Sequence, residues 1–114
     1  MELLCLGLNH RTAPVEVRER FAVGNTKLGE SARELTALDG VAEGVVISTC
    51  NRTEFYLVAP AAAAAFALLE SHLAAKTSLH TEAAAHFYRL EQASAIRHLC
   101  QVVGGLDSML LGET

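Results

Sequence analysis

The sequence predicts an α+β sandwich, a small sheet packed against helices in the order strand, helix, strand, strand, helix, strand, helix. Three observations lead there. Short apolar runs of strand length alternate with longer segments whose apolar residues recur at helical spacing. Turn and cap chemistry separates them, with Gly24-Asn25, Asp39-Gly40, Pro60 and Gly104-Gly105 at the joints. With 114 residues, 51% of them hydrophobic and 19% charged, the chain is one domain able to fill a core without metal or disulfide staples.

Residues 2–8, ELLCLGL, are an apolar run suited to a buried strand. In the NHRTAP segment that follows, Thr12 is a possible helix cap, Pro14 falls in the first turn, and Glu16 sits near the positive helix end. The helix is expected to break near Gly24-Asn25, resume through GESARELTAL and stop at Asp39-Gly40. Residues 42–49 and 53–59 read as a second and third strand joined by the segment around Cys50. Pro60 opens an alanine-rich packing helix with Lys76 at its C-terminal end. Residues 85–90, AHFYRL, read as a fourth strand. In EQASAIRHLCQVV the residues Ala93, Ile96, Cys100 and Val103 recur at helical spacing, Gly104-Gly105 gives a break, and LDSMLLGET starts another helix. This order is the β-α-β-β-α-β split motif with an additional C-terminal helix, a ferredoxin-like sandwich. There is no internal repeat and no Gly-x-Gly-x-x-Gly.

The bulk properties exclude several classes. A formal net charge of -4 gives no sign of a general nucleic-acid surface. The longest apolar stretch, LVAPAAAAAFALL (57–69), contains a proline and falls short of the ~20 residues that cross a bilayer, so no membrane span is expected. Three widely spaced cysteines with no basic leader before them imply free thiols in a reducing cytoplasm rather than a disulfide framework.

The segment ISTCNRTEFY (47–56) holds the most chemistry. Cys50 stands where the chain leaves the sheet, among Thr49, Asn51 and Arg52. A cysteine is a nucleophile only as a thiolate, and a neighbouring cation favours that form. Arg52 could supply the cation or fork onto a carboxylate. The residues alone leave two readings open, a reactive thiol and a turn cysteine without chemistry. Cys5 and Cys100, among leucines and valines, read as small buried hydrophobes. His98, two residues from Ile96, is expected to point away from the apolar stripe toward the surface. Asn9 and His10 at the end of the first strand are expected to make loop hydrogen bonds. His72, His80 and His86 show no ligand spacing with a cysteine pair, and no metal is expected.

Three separated segments, GLNHRTAPVEVRERFAV (7–23), STCNRTEFYLV (48–58) and GLDSMLLGET (105–114), together with AIRHLCQVVGGLDS (95–108), resemble the N-terminal catalytic domain of the glutamyl-tRNA reductase family. The resemblance runs in order over essentially the whole chain. It implies an NADPH-dependent oxidoreductase that catalyses the first step of tetrapyrrole (porphyrin, haem) biosynthesis from glutamate. Cys50 would attack the ester of glutamyl-tRNA, and the resulting thioester would be reduced to glutamate 1-semialdehyde. By the same resemblance His98 lies near the thiol as a catalytic residue, while Thr49, Asn51, Arg52, Ser108 and Glu113 line the glutamate pocket. Residues 1–114 would be the catalytic domain. The NADPH-binding and dimerisation domains would be absent from this chain, which is then an excised domain or truncated product that cannot complete the reduction alone. In the full-length enzyme the resemblance implies a homodimer and a handover of product to the downstream aminomutase. Many members have proline where this chain has Thr114.

Two other classes compete. The β-α-β-β-α-β layout is shared with single-stranded RNA-binding modules, which stack bases on sheet aromatics. Here Phe55, Tyr56, Phe87 and Tyr88 occur as adjacent pairs, and only one residue of each pair could face such a platform. A redox-sensing thiol domain would want a resolving cysteine beside Cys50, and the sequence places none there.

Overall fold

A computed structural model describes residues 1–77 and 85–110, with the backbone alone for 77 and 106–110. Four strands, β1 (Glu2–Asn9), β2 (Glu43–Ser48), β3 (Arg52–Ala59) and β4 (Tyr88–Glu91), form one antiparallel sheet in the order β2-β3-β1-β4. The helices are α1 (Val15–Phe21), α2 (Leu28–Thr36), α3 (Ala62–Thr77) and α4 (Gln92–Leu110), with a 3-10 turn at Asn25–Lys27 leading into α2.

Directly opposed residues of an antiparallel pair share a face, so the register sorts the side chains. Leu4, Leu6 and Leu8 oppose Leu57, Phe55 and Thr53, and this face carries the larger core with Phe21, Leu35, Phe66, Leu69 and Leu73 from α1, α2 and α3. Cys5, Gly7 and Asn9 oppose Tyr56, Glu54 and Arg52 on the other face. There, among the described elements, α4 lies over the sheet, with Ala95 and Leu99 packed on Cys5, Tyr56 and Leu90. One face is thus a closed apolar layer, and the other has a polar end.

Local chemistry explains the joints. Thr12 does not cap α1: its hydroxyl accepts from Asn9 N–H at 3.0 Å, and the helix starts after Pro14. Gly40 ends the α2 turn with φ of 80°, a conformation glycine adopts without strain. α3 begins at Ala62, whose free N–H donates to Glu2 Oε2 at 3.1 Å, and Lys76 near its other end reaches Glu34 of α2 at 2.9 Å. β4 starts at Tyr88, later than the 85–90 run suggests, with a turn at 85–86 before it.

Helix α4 departs most from the sequence reading. It passes straight through Gly104 and Gly105, neither of which has a positive φ, so the expected break is missing and residues 106–110 of the expected final helix belong to α4. Glycine inside a helix costs only about 1 kcal/mol relative to alanine, which is too little to end a helix by itself. The buried stripe is also rotated. Ala95 and Val102 are buried and Leu99 is partly buried, whereas Ile96, Cys100 and Val103 are exposed. Cys100 is therefore not a core residue, and His98 lies on the sheet side of the helix. Among the described residues no helix is long and apolar enough to cross a membrane.

Candidate active site

The connection between β2 and β3 is the short turn Thr49–Cys50–Asn51. Thr49 N–H donates to the Arg52 carbonyl at 2.8 Å, and Asn51 N–H donates to Thr49 Oγ1 at 3.2 Å. His10 N–H donates to the Asn51 carbonyl at 2.8 Å, fastening the loop after β1 to the same turn. With its backbone held on both sides, the turn presents Cys50 exposed to solvent. The loop after β1 is itself organised by Asn9, whose Oδ1 accepts from Arg11 N–H at 2.9 Å and Thr12 N–H at 3.2 Å. The sequence reading assigned Asn9 such bonds, and it also lines the cleft described next.

Beside the turn, Asn9, His10, Arg11, Arg52, His98 and Gln101 line a cleft of about 370 Å³. The residue that organises its floor is Glu54, whose side chain is fully buried. Its Oε1 accepts from Tyr56 Oη at 2.9 Å, while Oε2 accepts from Tyr88 Oη, from His98 Nε2 and, at 3.4 Å, from Arg52 Nη1. A carboxylate offers only acceptor positions, so His98 donates through Nε2, and Nδ1 takes no part in that bond. The Tyr88 and His98 rings meet edge to face, their centroids 5.4 Å apart. Burial, and then its hydrogen bond to Glu54, pushes the Tyr88 phenol up; burial followed by the charges of Cys5 and Glu54 does the same for Tyr56. Both phenols stay protonated and act as donors to the carboxylate. Gly7, opposite Glu54 and Tyr88, leaves the space they occupy: a Cβ there would lie 2.8 Å from Glu54 Cγ and 2.9 Å from Tyr88 Cε1.

Arg52 and His98 are thus brought together on one buried carboxylate, with Thr49, Cys50 and Asn51 on the adjoining turn. Ser108 lies on the last part of α4, where only the backbone is described, and Glu113 and Thr114 lie outside the described residues, as does His80. Sequence reasoning missed Glu54. The available signal was a charged residue at an inward-facing position of RTEFYLV, two residues from Arg52 and so on its face. Cys5 is on that face too, fully buried, and burial followed by the Glu54 charge pushes its thiol up and keeps it protonated. A groove of about 320 Å³ beside α2 is lined by Glu34 and Lys76, which pair with each other. No group of three side chains suited to a metal occurs among the described residues.

Residues 6–114 match the family model described as the N-terminal domain of glutamyl-tRNA(Glu) reductase. The chain belongs to this family. It is 48% identical to a glutamyl-tRNA reductase of Akkermansia muciniphila over all of this chain and 34% of the relative. It is 42% identical to that of Geobacillus thermodenitrificans, over 25% of that protein. Among solved structures, glutamyl-tRNA reductase from Methanopyrus kandleri superposes with a TM-score of 0.65 at 26% identity, covering 97% of this chain and 24% of the other. The chain therefore spans a quarter to a third of the length of the relatives it matches.

Proposed function

We propose that residues 1–114 are the acyl-capturing catalytic domain of a glutamyl-tRNA reductase, with Cys50 as nucleophile. The observation that supports this is the turn itself, which exposes Cys50 two residues before Arg52, while Arg52 and His98 line the adjoining cleft and are both bound to the buried carboxylate of Glu54. The strand order β2-β3-β1-β4, with α1 and α2 between β1 and β2 and α3 between β3 and β4, supports reading the fold as a ferredoxin-like sandwich with α4 added.

In this reading the Cys50 thiolate attacks the ester carbonyl joining glutamate to the terminal ribose. A carbon–sulfur bond forms, the carbon–oxygen bond to ribose breaks, and the ribose oxygen leaves with a proton. His98, with Nε2 bound to Glu54, takes the thiol proton on Nδ1 and returns it to the leaving oxygen. Esterified glutamate keeps one free carboxylate, on its side chain, and Arg52 receives it with its planar fork. Thr49 and Asn51 supply hydrogen bonds at the turn. NADPH, which the family resemblance implies as hydride donor, finds no cradle in the described residues. Among the described residues every neighbouring strand pair is antiparallel, and no glycine-rich turn opens a helix from a parallel strand. The chemistry these residues support ends at the thioester.

The RNA-platform reading is disfavoured by packing. Phe55 points into the large core, and Tyr56 is 2% exposed beneath α4, bonded to Glu54. Neither offers a face to a base.

The test is incubation with radiolabelled glutamyl-tRNA. The native chain should retain a hydroxylamine-labile glutamyl label and release no semialdehyde even with NADPH. Cys50→Ser should retain none, and Arg52→Lys should retain little, because a point charge does not reproduce the bidentate fork. Equal labelling of Cys50→Ser and the native chain would reject the assignment.

A further inference from the structure

The geometry points to a phosphate subsite at the mouth of the cleft, with Arg11 as its main ligand, taking the 5′-phosphate of the terminal nucleotide of the acylated RNA. This rests on the glutamyl-capture reading above and extends it from the amino acid to the nucleic acid.

The chain carries 13 acidic residues against 9 lysines and arginines, yet among the described residues no acidic one lines this cleft. The nearest carboxylate, Glu54, is buried and engaged by Arg52, His98 and the two tyrosines. The cleft holds two guanidinium groups in different states. Arg52 is mostly buried and anchored to Glu54, whereas Arg11 is exposed at the mouth and has no carboxylate partner among the described residues. Arg11 nevertheless has a fixed backbone. Its N–H is bound by Asn9 Oδ1 at 2.9 Å, and the neighbouring His10 N–H is bound to the Cys50 turn through the Asn51 carbonyl at 2.8 Å. A cation whose base is fastened to the nucleophile's own turn, and which no anion among the described residues neutralises, is poised for an anion arriving with the substrate.

The ligand chemistry follows from the order of groups. With the glutamyl carboxylate on Arg52 and the ester carbonyl at Cys50, the ribose lies toward the mouth, and the next anion along the chain is its 5′-phosphate. His10 and Gln101 supply further donors there. This local site accounts for RNA handling by a net-negative domain: charge is concentrated where one phosphate passes.

The probes are two non-hydrolysable ligands: adenosine bearing a 3′-glutamylamide, and the same compound with a 5′-phosphate. Calorimetric titration of the chain should show the phosphorylated ligand binding about tenfold tighter, as expected for a charge-assisted hydrogen bond. Arg11→Ala should abolish that preference, and Arg11→Lys should keep most of it. Affinity of native protein for the phosphorylated ligand should fall with salt more steeply than that of Arg11→Ala. Equal binding of the two ligands by native protein, or a preference that survives Arg11→Ala, would overturn the subsite while leaving glutamyl capture intact. If the native chain binds neither ligand, the glutamyl reading fails and the subsite with it. Arg52→Ala separates the two claims, because it should weaken both ligands alike.

Discussion

The two faces of the sheet use the same strands for opposite purposes. Toward α1, α2 and α3, the residues Leu4, Leu6, Leu8, Phe55 and Leu57 build a dry layer whose polar members, Ser48 and Thr53, satisfy each other at 3.1 Å. Ser48 Oγ also accepts from Val23 N–H at 2.9 Å. Toward α4, every second residue of the same strands gives Cys5, Gly7, Glu54, Tyr56 and Tyr88, and the buried group at the centre is a carboxylate. A buried charge is costly unless fully paired. The second face bears that cost, and the groups that offset it, Arg52 and His98, are the ones that open onto the cleft. One face supplies stability, and the other spends part of it to hold two side chains still.

Removing the central polar group from each face should therefore give unequal results. Glu54→Leu leaves a guanidinium, an imidazole and two phenols without their shared acceptor, and urea unfolding should show a loss of about 3 kcal/mol. The lower end of the usual range applies because Arg52, 23% exposed, can turn toward water. Glutamyl capture should vanish as well. Thr53→Val on the opposite face should cost about 1 kcal/mol and leave capture nearly intact. Equal losses from the two substitutions would break the comparison.

Glycines sharpen it. A Cβ at Gly7 would meet Glu54 Cγ at 2.8 Å, and one at Gly44 would meet Leu35 Cβ of α2 at 2.8 Å. Both Gly7→Ala and Gly44→Ala should destabilise by about 1–3 kcal/mol through overpacking. Only Gly7→Ala, which displaces the carboxylate, should also lower the rate of capture. A Gly44→Ala protein with the same catalytic defect per folded molecule would show that the faces are not separate.

Alkaline pH should act through the polar face as well. Cys5, Tyr56 and Tyr88 are all held protonated in the fold, chiefly by burial. In the unfolded chain a thiol ionises near ~8.5 and a phenol near ~10. Below those values the stabilisation is fully present. As pH rises through them the unfolded state loses protons that the fold keeps, so stability falls, by up to about 1.4 kcal/mol per pH unit for each group. Denaturant melts between pH 8 and 11 in steps should show this slope, and Cys5→Ala should remove its earliest part.

The sheet was legible because strand alternation is a local property: RTEFYLV and ELLCLGL each carry their own period of two. The Cys50 turn was legible too, since polar residues between two apolar runs mark the place where the chain leaves the sheet. The floor of the site was not, because Tyr88 and His98 reach Glu54 from 34 and 44 positions away. The helix that delivers His98 was misread by one step of rotation. Ala93, Ile96, Cys100 and Val103 form one acceptable apolar stripe and Ala95, Leu99 and Val102 form another. Only packing against Cys5 and Tyr56 decides between them. That choice turned His98 inward and left Cys100 in solvent.

The central claim is that reactivity resides where the polar face ends at the Cys50 turn. Native-state alkylation with iodoacetamide, read at each cysteine by peptide mass spectrometry with and without the 3′-glutamylamide of adenosine, tests it most directly. Cys50 and Cys100, both exposed, should label in the folded protein, whereas buried Cys5 should label only on unfolding. The ligand should slow Cys50 alone. Protection of Cys100 with no effect on Cys50, or labelling of Cys5 at a rate matching Cys50 in the folded protein, would contradict the account.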